Sequence, residues 1–436
     1  MIDVNFARLN HILIPATKTG RDRFRRSLAG KLLIPVVGFY EALSDEGRML
    51  SVVSLIVGGF ALDVGATQIY ILWSALVGLL IAALAARAAY GIGDVRAEVI
   101  APRRVTIGEE ARFAIVLTSV GQRQRHALRV RGPFLPWDGQ WIGDSPRVRK
   151  LAAHGRARIE VRARFAARGE HHLDPFRVAA LVPLGLTLGR SIATGGCRFL
   201  VVPKIAPLTR LALPIGRRHQ PGGIALASKT GESMDLLGVR PYRVGDPIRD
   251  LHARTWARLG TPVVREYQEE YFSRIGVVVD TGAGASDERR LEAAISLAAG
   301  VVAHLSRGES LIDLLVVGDV VHDLTLGRSL GNLEQALDLL ATVERGPKLD
   351  AEALLARLAQ HLPRLSCVVV VSFEGEASSA AADSLGERVR GYGVGCKTLL
   401  VGRRRSTRER DLSPMRGRDT QTIALDAIER GEALAL

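Results

Sequence analysis

The densest chemistry in this sequence lies between Gly231 and Tyr267, where Arg240, Arg243, Arg249, Arg254, Arg258 and Arg265 are interleaved with Asp246, Asp250 and Glu266. Guanidinium forks suit bidentate pairing with carboxylates, and a Gly245-Asp246 turn can aim its carboxylate at nearby arginines. Such a segment can dock an acidic partner, or it can clasp two parts of the fold together; the spacing leaves both open. His252 stands near Asp246 and Asp250 as a conceivable base, but no nucleophile accompanies it. A further carboxylate, Asp280, ends the run Ile275-Gly276-Val277-Val278-Val279 and is followed by Thr281-Gly282-Ala283-Gly284-Ala285-Ser286. Cys197, Cys367 and Cys396 have no metal or redox spacing, which fits small buried hydrophobes. His171-His172 cannot share an ion within a strand, because adjacent side chains point to opposite faces. The sequence has no Walker-type phosphate loop, no His-Glu-x-x-His, and no Gly-x-Ser-x-Gly elbow in a strand–turn–helix context. It reads as a noncatalytic chain with no cofactor.

The elements that must position these residues change along the chain. Of 436 residues, 59 are Lys or Arg and 45 Asp or Glu, a net charge of +14, yet 47% are hydrophobic and the mean hydropathy is +0.14. This excludes disorder and a disulfide scaffold, and it requires the apolar residues to be concentrated somewhere. From Leu50 to Ala86 the only charged residue is Asp63. About 20 residues cross a hydrocarbon core, so the run predicts two transmembrane helices within 49–87, broken near Asp63 to Thr67. Arg8, Lys18, Arg21, Arg23, Arg25, Arg26, Lys31 and Arg48 precede the run, and Arg87, Arg96, Arg103 and Arg104 follow it. No Lys or Arg lies between the spans, so both flanks are expected in the cytoplasm and the hairpin in the inner (plasma) membrane. Residues 1–48 form a basic cytoplasmic segment whose Lys18 to Lys31 cluster can hold anionic lipid headgroups.

From 95 to 205 the period changes to two. Arg156-Ala157-Arg158-Ile159-Glu160-Val161-Arg162-Ala163-Arg164-Phe165 alternates charged and apolar, and Gly-containing turns punctuate the segment, so an antiparallel β-sandwich is expected. Its cationic surface lacks the interleaved aromatics of a nucleic-acid platform. Residues 271–436 alternate β-branched strands at 274–280, 311–317, 367–372 and 396–401 with helical stretches, which predicts a doubly wound, Rossmann-like α/β domain. Its Asp280 loop resembles the Asp-x-Ser-x-Ser metal loop of von Willebrand factor A-like domains. Gly282 and Gly284 stand where that loop has serines, so the resemblance implies the fold with a degenerate metal site at Asp280, Gly282 and Gly284.

Arg240, Tyr242, Gly245, Asp246, Arg249, His252, Ala257, Arg258, Arg265 and Glu266 follow a recognisable order and spacing within 206–270. Upstream stand Arg168-Gly169, Val182-Pro183-Leu184-Gly185-Leu186 and Val201-Val202-Pro203. This ordered set resembles the bacterial "domain of unknown function fifty-eight" family. Leu236 replaces its usual Phe, Ala253 its Trp, and Val182 an Asp. The resemblance implies a multidomain α+β protein: a transmembrane helical hairpin, a β-sandwich, the signature segment and a von Willebrand A-like domain. Because genes of this family often lie beside those of MoxR-type AAA+ ATPases, it also implies a scaffold or adaptor for such an ATPase in protein assembly or remodelling. The second reading is a basic, membrane-peripheral protein that binds anionic lipid or nucleic acid.

Overall fold

The computed structural model describes residues 17–60, 67–214, 235–246, 248–268, 274–282, 288–308, 311–317, 321–326, 330–346, 350–359, 361–402 and 419–436. These form a mixed α+β protein that divides into two compact units, 1–204 with 337–343 and 205–336 with 344–436.

Among the described residues, the first unit has four helices ahead of its strands: α1 (Lys18–Arg26), α2 (Leu28–Ala42), α3 (Asp45–Phe60) and α4 (Thr67–Ala86). Thr17 and Ser27 cap α1 and α2 by accepting from the amides of Gly20 and Gly30. Among the described residues, Gln68–Ala89 is the helix long and apolar enough to cross a membrane, with a mean hydropathy of 2.3. It is not a core helix: Tyr70, Ile71, Leu72 and Ile81 are exposed, as are Val52, Leu55, Ile56 and Phe60 of α3. The 16 residues of α3 reach only about 24 Å at 1.5 Å each, against a hydrocarbon core of about 30 Å. The two helices meet where a Cβ on Gly58 would fall 2.6 Å from the Trp73 indole nitrogen.

Eleven strands follow. β1 (Val95–Ile100), β2 (Arg104–Thr106), β3 (Glu110–Ser119), β4 (Arg125–Arg131) and β5 (Gly139–Ile142) come first. β6 (Arg147–Leu151), β7 (Arg156–Phe165), β8 (Gly169–Leu173), β9 (Arg177–Ala180), β10 (Ile192–Ala193) and β11 (Cys197–Val202) complete the set. They form sheets ordered β1-β3-β7-β5, β10-β9-β4-β6 and β2-β11-β8. Every pair is antiparallel, as the alternating pattern predicts, except β2 with β11, which run parallel. The inward residues build an aromatic centre: Phe113 lies 6.0 Å from Phe176 and 5.4 Å from Phe199, and Phe165 lies 5.0 Å from Phe199. β7 keeps Arg156, Arg158, Arg162 and Arg164 exposed on its outer face.

The Val182-Pro183-Leu184-Gly185-Leu186 element turns out to join this β-rich part to the helices. Leu184 and Gly185 turn the chain with φ of 74° at each residue. The following residues then bond both helical arms: the Ser44 amide donates to Leu186 O (3.0 Å), and the Leu188 amide to Ala42 O (2.9 Å). The Thr187 hydroxyl donates to Ala83 O at 2.8 Å and Arg87 Nε to Leu188 O at 2.6 Å. Gly47 passes so close to the Leu186 carbonyl that any Cβ would overlap it. Gly47→Val is therefore expected to pry α3 off this loop, at the roughly 1–3 kcal/mol typical of overpacking. Hydrogen exchange should show the Ser44 and Leu188 amides losing protection, while Gly59→Val, at a position with nothing near its Cβ, leaves them unchanged. Equal effects from the two variants would count against the clasp.

The second unit centres on a six-stranded sheet of β15 (Arg274–Asp280), β16 (Leu311–Val317), β17 (Val321–Leu326), β18 (Cys367–Phe373), β19 (Gly395–Gly402) and β20 (Thr420–Ala424). Their order is β17-β16-β15-β18-β19-β20, the doubly wound arrangement in which chain order reverses between the first and fourth strands. The expected parallel pairing holds for five strands, and β17 adds an antiparallel edge. Among the described residues, the helices from this part of the chain are α5 (Ala253–Leu259), α6 (Glu288–Leu305), α7 (Leu330–Thr342, whose residues from 337 on group with the first unit), α8 (Ala351–Leu358), α9 (Glu376–Gly391) and α10 (Leu425–Arg430). Two small sheets stand apart: β12 (Leu208–Arg210) with β21 (Leu434–Ala435), and β13 (Asp235–Pro241) with β14 (Val263–Gln268).

Candidate functional site

The signature residues assemble on the β13–β14 pair and the turns and helix between them. Register places Val239 opposite Arg265 and Arg240 opposite Val264. The intervening chain is closed by the Tyr242 amide donating to Pro262 O (2.9 Å) and the His252 amide to Val263 O (2.8 Å). Val263 and Val264 are buried beneath it.

The interleaved charges resolve into one strong pair. Arg240 donates both of its terminal nitrogens to Asp246, at 2.7 and 2.8 Å, and the Arg243 amide adds a third bond at 2.8 Å. Gly245, at φ 109°, supplies the backbone turn that brings the carboxylate round. Arg249 lies 4.0 Å from Asp250. Among the described residues no carboxylate pairs with Arg243, Arg254, Arg258 or Arg265, all of which are exposed. Glu266 stands opposite Gly238 in β14, and its side chain lies outside the described residues. Among the described residues, the interleaved charges thus come down to one bidentate fork, with Arg243 adding a favourable charge near Asp246 and the Arg249–Asp250 approach beside it. His252 Nδ1 accepts from the Thr255 amide at 3.1 Å and caps α5.

The Arg240 hydrogen bonds, and next the Arg243 amide, hold the Asp246 carboxyl below the usual carboxylate range. A lowered folded value means that the pairing contributes fully above the ordinary pKa of about 3.9 and is lost as pH falls through the lower value. A carboxyl-carbon NMR titration should place the Asp246 midpoint below about 3.9, and Arg240→Gln should raise it. A midpoint at or above that value in the unsubstituted chain would contradict the fork.

Between these polar groups stand apolar side chains for which the sequence pattern gave no role. Val244 is 101% exposed and Ile248 77%, and Val239, Trp256 and Leu259 are exposed as well. The signal was present: they interrupt a polar run without the 3.6 or 2.0 period that would send them to a core.

Asp280 ends β15 at the point where strand order reverses, the position at which doubly wound folds hold ligands. It is fully buried; one carboxylate oxygen accepts from the Gly282 amide (2.9 Å) and the other from the Ser372 hydroxyl (2.7 Å). Gly284 lies outside the described residues. Among the described residues, no group of three His, Cys, Asp or Glu could hold a metal ion. Burial pushes the Cys367 thiol up to about 12 and those of Cys396 and Cys197 to about 11. In the sandwich, His171 and His172 do not converge. His171 is buried, its Nε2 2.7 Å from Asp138 and its Nδ1 3.1 Å from Gly169 O.

These features define an α+β protein with one candidate membrane helix and a two-stranded signature segment in its doubly wound unit. Residues 238–388 match the family described as "Protein of unknown function DUF58". No curated protein matches the chain. Among solved structures, the chain is similar to native alpha-2-macroglobulin from Escherichia coli, at 17% identity and a TM-score of 0.21 over 30% of this chain and 21% of that one. It is also similar to the CARDB domain of a Pyrococcus furiosus protein in complex with di-metal ions, at 12% identity and a TM-score of 0.19 over 26% of this chain and 91% of that one. The chain spans about a fifth of the macroglobulin chain, and at these scores neither likeness bears on function.

Proposed function

We propose that the protein is a membrane-anchored, noncatalytic scaffold whose signature segment docks a cytosolic AAA+ ATPase of the MoxR type. The exposure of Val244, Ile248, Trp256 and Leu259 carries this reading. A segment serving only as an internal clasp would bury such side chains; large apolar groups rimmed by charge mark interaction surfaces. The exposed Arg243, Arg254, Arg258 and Arg265 suit an acidic partner face. The ATPase itself comes from the family resemblance.

The doubly wound strand order supports a von Willebrand A-like domain, and the inward bonding of Asp280 supports a loop turned to structural use. The uncovered apolar faces of α3 and α4 support a hairpin of two spans in the inner membrane, with the flanks held in the cytoplasm by their Arg and Lys residues. The full chain in detergent should retain a MoxR-type ATPase on a column in at least one nucleotide state; absence of association in the ATP-analogue, ADP and nucleotide-free states would sink the proposal. The chain should sediment with membranes and be released by detergent. Release by salt alone would favour the peripheral, charge-held reading.

A further inference from the structure

We infer that α2 lies in the plane of the membrane–water interface, with Leu28, Leu32, Val36 and Phe39 among lipid acyl chains and the cations of α1 over anionic headgroups. This rests on the membrane anchoring proposed above and adds a second, distinct lipid contact. Leu28, Leu32, Val36 and Phe39 recur at the spacing of one helix face, and all are exposed, Leu28 and Leu32 by 81% and 76%. Elsewhere on the helix Leu33 and Tyr40 are exposed too; with Val37 they line a cavity of about 1300 Å³, and Tyr40 stacks on Phe134 at 6.0 Å. The helix is therefore held chiefly at its two ends. At one end Arg21 and Arg25 of α1 grip Asp174, at 2.9 and 3.0 Å. At the other end Ala42 and Leu43 are buried against Leu188 and Thr187.

Three observations identify a bilayer as the occupant. The exposed stripe belongs to the same unit as the apolar faces of α3 and α4, and only Leu43 and Ser44 separate α2 from α3. A helix entering α3 and α4 from the membrane surface passes naturally through that surface first. The cap and charge pattern agrees: α1 carries exposed Lys18, Arg23 and Arg26 and no acidic residue in its first turn, and Lys31 is exposed on α2. Cations beside an apolar helix face are what an anionic leaflet recognises. Finally, a helix facing water on this side would not carry Leu, Leu, Val and Phe there.

The test uses the full chain reconstituted in vesicles of phosphatidylcholine and phosphatidylglycerol. Single cysteines at Leu32→Cys, Phe39→Cys, Leu72→Cys or Val120→Cys, each in a Cys197→Ala background, are labelled with an environment-sensitive fluorophore; Cys367 and Cys396 are buried. Lipids carrying a quencher at a shallow or a deep acyl position report depth. Probes at 32 and 39 should be quenched several-fold more by the shallow lipid than the probe at 120, and the probe at 72 most by the deep one. Omitting phosphatidylglycerol should reduce quenching at 32; unchanged quenching overturns the headgroup part. If 32 and 39 match 120 while 72 is quenched, the α2 proposal fails and the anchoring reading stands. Probes at 32 and 39 shielded from aqueous iodide yet untouched by quencher lipid would mean that protein covers the stripe, a second copy included, and would also overturn it. Loss of quenching at 72 as well removes the anchoring reading itself.

Discussion

Arg274→Met is expected to unlock the β15–β16–β17 edge of the second unit. Asp313 sits within β16 with its side chain wholly buried, opposite Gly276 on one side and Thr325 on the other. Its carboxylate accepts from Arg274 Nε (2.7 Å), Arg274 Nη2 (2.9 Å) and the Thr325 hydroxyl (2.9 Å). Arg274 is the first residue of β15 and keeps some solvent contact. Losing Asp313 would let the guanidinium turn toward water. Losing Arg274 instead strands a buried carboxylate with the Thr325 hydroxyl and, 3.9 Å away, His361 Nδ1. Breaking a buried pair this way costs about 3–5 kcal/mol, whereas replacing both partners by apolar groups is often near neutral. Hydrogen exchange on the full chain should show β16 amides losing protection by about 10²–10³-fold in Arg274→Met. The double variant Arg274→Met with Asp313→Leu should recover most of it. A double variant as unprotected as the single one would show that strand packing, and not the stranded charge, controls this edge.

That pair also shows where sequence reading stops. The runs ending at Asp280, Val317 and Phe373 are strongly β-branched, so the sheet was legible without structure. Asp313 was visible inside one run, but its partner lies 39 residues away, and no spacing rule links them. The antiparallel β17 escaped because Val321–Leu326 is short and carries His322 and Asp323. α1 and α2 escaped for another reason: Arg and Lys dominate 18–31, and Pro35 interrupts a helical pattern, so the region reads as a basic tail. In the signature, Gly245-Asp246 correctly announced a turn that aims a carboxylate. Which arginine takes it depends on the β13 register, and Arg240 was one of several equal candidates. The joining role of Val182 to Gly189 was illegible because its bonds are to residues more than a hundred positions away in part, such as Thr187 with Ala83.

The largest functional effect is expected from Trp256→Ala on ATPase association. Trp256 lies in α5, a helix of seven residues held by the His252 cap and closed by Gly260 in a left-handed turn. The indole is not part of a core, so its removal leaves the Arg240–Asp246 fork and the buried Val263 and Val264 in place. Tryptophan and arginine are the commonest anchors of protein interfaces, and truncating one typically costs about 2–4 kcal/mol, or about 30- to 1000-fold in affinity. Val244→Asp should act in the same direction by placing a charge where an apolar contact is expected. Arg258→Glu should act differently, slowing association and altering its salt dependence, because an exposed charge steers encounter more than it holds a complex. The measurement is surface-immobilised full chain with ATPase in solution, read as on- and off-rates at two ionic strengths. Trp256→Ala should raise the off-rate and Arg258→Glu lower the on-rate. If Arg240→Gln alone abolishes binding while Trp256→Ala and Val244→Asp leave both rates unchanged, the segment works through its internal fork, and the exposed apolar residues are not the contact.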